Sequence, residues 1–404
     1  MKAERIAIVG AGPAGLATAR AYREHGGEGE VTLIGTEPLL PYRRPPLTKE
    51  FLRGELAAEA LRLEQQEWFE RQAVQLRLGR SVSAIDPGAG AVVLAGHGGQ
   101  GSDEDGAAPV HERLYADAIV LATGSEPLRP KLPGLDDERV LTMRTLPDSV
   151  DLIERSREQA RIVVIGTGFI GCEIAASLAL RGAGVTLIGE EPLPQCGRLG
   201  EQVGGRIAGW LSALGVQLLG GEGVRGVDQG RVVELEDGTR IEASSVVLGM
   251  GARPRVELAR AAGLALEQGA VTVDGSLCVP DTSGSAILAA GDIAYAYNAS
   301  AGRRLRVEHW GDALEQGEIA GRVLAGEDAV WDSVPGFWST LGSHTLKYAA
   351  WGDGHDTARL EDHGEGAFTV WYSREGALVG VLTHECDSDY ECGRELIRAQ
   401  AVNV

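Results

Sequence analysis

One pattern occurs twice in this chain and limits its possible folds more than any other feature. Residues 6–39 read IAIVGAGPAGLATARAYREHGGEGEVTLIGTEPL, and residues 162–193 read IVVIGTGFIGCEIAASLALRGAGVTLIGEEPL. Each copy runs from an apolar strand through Gly-x-Gly-x-x-Gly into an alanine-rich helix and closes on a second strand ending Val-Thr-Leu-Ile-Gly. By length and periodicity both are βαβ units. The glycines, Gly10, Gly12 and Gly15 in one copy and Gly166, Gly168 and Gly171 in the other, are the residues a backbone needs to turn tightly and approach a pyrophosphate. The phosphate charge then sits on the positive end of the helix. Pro13 and Ala14 open the first helix, where proline lacks only a donor the helix would not use, and Phe169 and Ile170 open the second. Two such units predict an α/β chain with two dinucleotide sites, or with one site and a relic.

The position that carries a ribose-binding acid lies at the end of the second strand. In the first unit Gly35 and Thr36 precede Glu37, which takes that role. In the second, Glu190 follows Gly189 directly. A carboxylate there accepts from a 2′-hydroxyl and repels a 2′-phosphate, so NADH is favoured over NADPH, although Arg198 could reach a phosphate by tertiary contact. A two-site chain makes redox sense when one nucleotide reduces the other, and a flavin accepts a hydride from a nicotinamide. FAD and NADH are therefore the expected pair. Asp292, after the short strand AILAAG and Gly291, is read as an acceptor for a hydroxyl of the bound cofactor, its alternative being a helix N-cap.

Further apolar strands at 116–124, 244–254 and 286–292 place the second unit inside the first. The expected architecture is two Rossmann-like domains, one inserted in the other, followed by a C-terminal α+β domain. Residues 1–125 and 255–325 form the FAD-binding part, 126–254 the NAD-binding part and 326–404 the last. The polar, glycine-rich stretch 96–113 reads as a loop between strands. Beyond 326, alternating runs such as AFTVWY and LVGVL predict an antiparallel sheet, with a closing helix near 391–399.

Charge narrows the partners. With 38 Lys and Arg against 58 Asp and Glu, the net charge is −20, which disfavours nucleic acid and anionic membrane surfaces. No apolar run approaches a membrane span, and the N-terminus lacks a signal-peptide pattern, so a cytoplasmic monomer or homodimer is expected. The five cysteines fit neither a disulfide framework nor a metal site, and no metal is expected. The first cysteine is Cys172, so no thiol stands near the first fingerprint to relay electrons.

The blocks PYRRPPLTKEFL (41–52), ATGSEPLRP (122–130), IGTGFIGCEIA (165–175), AAGDIA (289–294), VEHWGDALEQG (307–317) and VPGFWS (334–339) occur in that order across almost the whole chain. Together they resemble the oxygenase-coupled, NADH-dependent ferredoxin reductases, the putidaredoxin reductase-like flavoproteins. The resemblance implies that Arg44, Pro45 and Lys49 line FAD, with the Lys49 ammonium near flavin N5. It also implies that Asp292 binds the ribityl chain, that Trp310 covers the isoalloxazine and that Glu173 lies by the nicotinamide. The strand ends Ala122-Thr123-Gly124 and Gly251 join the cofactor-binding set. The implied acceptor is an iron–sulfur ferredoxin serving an oxygenase or P450. An acidic ferredoxin would need a local basic patch on so acidic a protein; Arg303, Arg304 and Arg306 with Arg43 and Arg44 are the candidates, ordinary salt bridges their alternative. After FWS the chain departs from the family, with Thr340-Leu341-Gly342 in place of Asp-Gln, and Cys386 and Cys392 stand where the family has none. Two other activities stay open from sequence: an NAD(P)H-dependent reductase of a quinone, oxygen or biosynthetic intermediate, and a redox-responsive NADH-binding flavoprotein.

Overall fold

The computed structural model describes residues 2–95, 112–157, 159–282 and 284–401. Each fingerprint unit builds its own five-stranded parallel sheet. The first runs Ala286–Ala289, Ala118–Leu121, Arg5–Val9, Glu30–Gly35, Val74–Leu78. The second runs Val140–Thr142, Ser245–Leu248, Arg161–Ile165, Gly184–Gly189, Gln217–Gly220. In both, the fingerprint strand is central, and its residues are buried on both faces, as parallel strands require. Ile8 pairs with Leu33 and Val120; Val164 pairs with Leu187 and Val247. The edge strands break the symmetry. The first sheet takes one edge from residues after the second unit, and the second takes one from residues before its own fingerprint. The two chain crossings lie side by side as an antiparallel pair, Ser125–Pro127 on Ala252–Pro254.

The first fingerprint helix, Pro13–Glu24, packs along Trp310–Ala325. Contact is close because Gly317 and Gly321 face it: a Cβ on either would lie 2.3 or 2.4 Å from the carbonyl oxygens of Ala14 and Thr18. This helix pair brings the start of Trp310–Ala325 to the first fingerprint.

A third sheet is antiparallel, in the order Gly336–Leu341, His344–Ala350, Ala377–His384, Ala367–Arg374, Thr357–Gly364. Its closing helix is Asp387–Ala401, longer than the expected 391–399, because Asp387 and Asp389 supply the acidic first turn a helix N-terminus favours. Leu346, Phe368 and Leu382 of this sheet share one apolar cluster with Ile174, Leu178 and Leu211 of the second unit and with Leu47 and Leu52. Each such fully buried side chain contributes about 1.5–3 kcal/mol, so the junction is a fixed one. Of the expected loop at 96–113, residues 96–111 lie outside the described residues, and 112–113 begin the strand Glu112–Tyr115. Among the described residues no helix is long and apolar enough to cross a membrane.

Candidate functional site

The two fingerprints have the same steric construction. Gly10 adopts φ 120°, and a Cβ there would stand 2.1 Å from the Ala122 carbonyl oxygen; Gly166 adopts φ 111°, with Gly249 O at 2.4 Å. A Cβ on Gly15 would meet Gly10 O at 2.0 Å, and one on Gly171 would meet Gly166 O at 1.9 Å. The middle glycines differ from these. Nothing lies within 4 Å of a Cβ on Gly12, and nothing closer than 3.7 Å on Gly168. Outer glycines are thus required by the protein, whereas the middle ones leave a bare face for a ligand. Gly35 and Gly189 press on the side chains of Ala11 and Thr167, at 2.8 and 2.3 Å from a Cβ. That contact excludes a side chain at the usual acidic position and explains why the carboxylates come later, at Glu37 and Glu190.

Around the first fingerprint the polar groups converge from distant segments. Glu37 Oε1 accepts from Arg44 Nη2 at 2.7 Å and Oε2 from the Tyr42 hydroxyl at 2.6 Å. Arg44 Nη1 also donates to the Arg144 carbonyl at 2.6 Å. Pro45 starts the turn Pro45–Thr48. Asp292 Oδ2 accepts from Ser125 Oγ at 2.6 Å and from Arg144 Nη2 at 3.0 Å. Gly291, at φ 79°, donates its N–H to Gln316 Oε1 at 2.9 Å, and Gly124, at φ 65°, faces Arg144. Thr123 Oγ1 donates to Arg255 O at 2.9 Å. Glu308 Oε1 is buried without a hydrogen bond, 3.5 Å from Arg306 Nη2. Burial first, then Asp292, holds the Glu308 carboxyl above its ordinary range. Trp310 is half-buried at the first turn of its helix. Arg144, Ser125, Tyr42 and Gln316 were not legible as site residues. One signal for Arg144 existed: Thr145-x-x-Asp148 is a capping box, and Asp148 Oδ2 also takes the Arg144 N–H at 2.9 Å, which fixes that backbone.

The second fingerprint opens into a cleft of about 460 Å³. Gly166, Gly168 and Gly251 line it together with Glu190, Glu191, Glu222 and Arg198. Three carboxylates and one guanidinium give this lining a negative balance that disfavours an added phosphate.

A buried ion pair joins the segment around 45–53 to the second fingerprint helix, Phe169–Leu180. Lys49 Nζ lies 2.7 Å from Glu173 Oε2, at 5 % and 2 % exposure, although 124 positions separate them. Thr48 Oγ1 donates to the same oxygen at 2.5 Å, and Ser339 Oγ donates to Oε1 at 2.7 Å. Lys49 Nζ also reaches Pro45 O at 3.2 Å. A desolvated pair persists only when its remaining lone pairs are satisfied, and these hydroxyls do so. Beside it Phe169 packs on Phe337 with centroids 4.7 Å apart, while Ile170 stays 46 % exposed.

The arginines expected to form a free basic patch are instead occupied. Arg303 pairs with Asp353, Arg306 with Glu308 at 3.5 Å and Arg44 with Glu37, while Arg304 and Arg43 donate to the carbonyls of Val273 and Ala60. The salt-bridge alternative holds for Arg303, Arg306 and Arg44, and of their acids only Asp353 is remote in sequence. All five cysteines are free, so Cys386 and Cys392 form no bridge.

A family model described as pyridine nucleotide-disulphide oxidoreductase matches residues 4–317. The chain belongs to that family. This oxidoreductase is 32 % identical to the ferredoxin reductase component of chlorobenzene dioxygenase from Cupriavidus sp. (strain PS12) over 403 residues, covering 99 % of this chain and 93 % of the relative. It is 31 % identical to rhodocoxin reductase from Rhodococcus erythropolis, covering 98 % and 90 %. Its fold superimposes on a chain in the crystal structure of the covalent putidaredoxin reductase–putidaredoxin complex with a TM-score of 0.88 and 28 % identity, covering 99 % and 94 %. The oxidoreductase thus groups with ferredoxin reductases of oxygenase systems.

Proposed function

We propose that this chain is an FAD-dependent NADH:ferredoxin oxidoreductase, taking a hydride from NADH onto FAD and passing electrons singly to an iron–sulfur ferredoxin that serves an oxygenase or P450. The observation that carries this reading is the buried Lys49–Glu173 pair, which joins the two fingerprint sites. The first site fits FAD: Gly12 offers a bare backbone face, the helix Pro13–Glu24 points its N-terminus there, and Arg144, Ser125 and Asp292 form a polar group suited to hydroxyls and phosphate. FAD supplies, when bound, the conversion of a two-electron hydride into one-electron steps.

In this reading Gly10, Gly12, Pro13, Ala14 and Gly15 hold the pyrophosphate, and Glu37 holds a ribose hydroxyl. Arg44, Pro45, Ala122, Thr123, Gly124, Gly291, Asp292 and Trp310 line the rest of the flavin site. Gly166, Gly168, Phe169, Ile170, Gly171, Glu190 and Gly251 take NADH. Lys49 keeps positive charge at the flavin, and Glu173 fixes Lys49 and borders the nicotinamide. These residues orient and exclude water; placement of the two rings supplies the rate. The same reading assigns residues 1–125 with 255–325 to FAD, 126–254 to NADH and 326–404 to the acceptor side, in a cytoplasmic monomer or homodimer.

Anaerobic stopped-flow mixing tests the whole sequence of steps. NADH should reduce the flavin quickly, and the reduced protein should then reduce a [2Fe–2S] ferredoxin. Fast flavin reduction with no transfer to any ferredoxin would reject the acceptor and favour a reductase of small molecules.

A further inference from the structure

The reading above leaves Ser339 unused, yet it touches the most buried charge in the site. The strand Gly336–Leu341 alternates as strands do: Trp338 is 42 % exposed, and Ser339 is 1 % exposed. Ser339 sits opposite Leu346, in a region of buried Leu341 and Leu346. A hydroxyl there costs desolvation unless it is used. It is used: Ser339 Oγ donates to Glu173 Oε1, the carboxylate oxygen that Thr48 and Lys49 do not take. The preceding Phe337 packs on Phe169, four residues before Glu173 in the same helix. The strand therefore grips the first turns of the second fingerprint helix at two points, one apolar and one hydrogen-bonded.

We propose that Ser339 is a positioning residue for the NADH half of the reaction, locking the rotation of the Glu173 carboxylate and, through it, the Lys49 ammonium. This rests on the oxidoreductase reading given above. Without Ser339, Oε1 is a buried acceptor with no donor, and the carboxylate turns to find one. Lys49 follows, because its ammonium is bound to the other oxygen of the same group. Trp338, next in the strand, is 42 % exposed, so the buried hydroxyl and the exposed indole lie on alternate faces of one strand.

The test uses the full-length, FAD-loaded protein and the variants Ser339→Ala and Ser339→Thr. Three quantities are measured: the Kd of NAD⁺ for the oxidised protein by calorimetry, the rate and half-saturation of flavin reduction by NADH, and electron transfer from dithionite-reduced protein to a [2Fe–2S] ferredoxin. A lost hydrogen bond to a charged group predicts that Ser339→Ala weakens NAD⁺ and raises the NADH half-saturation by about tenfold. The limiting rate should fall less, and the dithionite-driven step should change least of the three. Ser339→Thr, which restores the hydroxyl, should return both affinities close to wild type. Wild-type affinities in Ser339→Ala would overturn the proposal. So would equal damage to both half-reactions in both variants, the mark of a purely structural role. If the wild type binds NAD⁺ but NADH does not reduce its flavin, the oxidoreductase reading falls, while the NAD⁺ affinities still decide the role of Ser339.

Discussion

The two fingerprint units share a backbone and differ in what surrounds it. In the first, both oxygens of Glu37 are taken by Arg44 and Tyr42, and Arg144 reaches across to Asp292. In the second, Glu190 stays exposed at the edge of an open cleft with Glu191 and Glu222. In the proposed function, enclosure by distant segments suits a cofactor that stays, and an open acidic cleft suits a dinucleotide that must come and go. Retention would then be decided outside the repeat.

The largest effects should come from filling the two bare faces. A Cβ at Gly12 meets no protein atom, so Gly12→Val should leave the chain folded but colourless, with the flavin-to-protein absorbance ratio near zero. Gly168→Val should retain the flavin and lose its reduction by NADH. Equal flavin loss in both variants would erase the distinction between the sites.

Next in size is Arg144→Ala. It removes a guanidinium from the polar group proposed to hold FAD; one charge-assisted hydrogen bond to the cofactor is worth about 2 kcal/mol, so the FAD dissociation constant should rise roughly thirtyfold. NAD⁺ affinity, read by calorimetry on the FAD-saturated variant, should not move.

Smaller is the change in coenzyme choice. Glu190→Arg converts a repelling rim to an attracting one and should raise kcat/KM for NADPH by about tenfold, with flavin content constant. An unchanged NADPH-to-NADH ratio would remove Glu190 from the role assigned to it.

The smallest effect concerns the seam beneath the second unit alone. His344 stacks on Trp210 with centroids 4.4 Å apart, and its Nδ1 lies 3.4 Å from His384 Nε2. His384 donates from Nδ1 to Thr345 O at 2.9 Å, and Glu385 lies 4.0 Å from its other nitrogen. Burial, then His384, lowers the His344 pKa below 6.5. The folded chain therefore prefers neutral His344. That stability is present above pH 6.5 and is lost as pH falls toward the folded-state value, because the unfolded chain takes up the proton first. Melting temperature should decline through this window, and His344→Gln should flatten the decline without altering flavin retention.

The features that repeat were legible in the sequence. The fingerprint glycines and their continuous apolar strands recur as one local motif, and the runs at 367–372 and 378–382 alternate with a period of 2. Tertiary partners were not. Ser339 and Glu173 are 166 positions apart, and Arg144 and Asp292 are 148 apart; no local pattern couples them. The arginines at 303, 304 and 306 suggested an open patch for the same reason, since Asp353 reaches Arg303 from 50 residues away. The edge strand Val140–Thr142 is only three residues long, too short to carry a periodic signal. The acids are intermediate: Glu37 and Glu190 are read from the sequence as candidates, but the contacts that bar a side chain before them, Gly35 on Ala11 and Gly189 on Thr167, are tertiary.

The central claim is that two dinucleotides meet across the Lys49–Glu173 pair. An absorbance spectrum of the purified protein, taken without oxygen before and after one equivalent of NADH, tests it most directly. The account predicts a flavin band near roughly 450 nm that bleaches on addition, as hydride transfer between nicotinamide and flavin requires. A protein that cannot be loaded with flavin, or a band that NADH leaves intact, would contradict it.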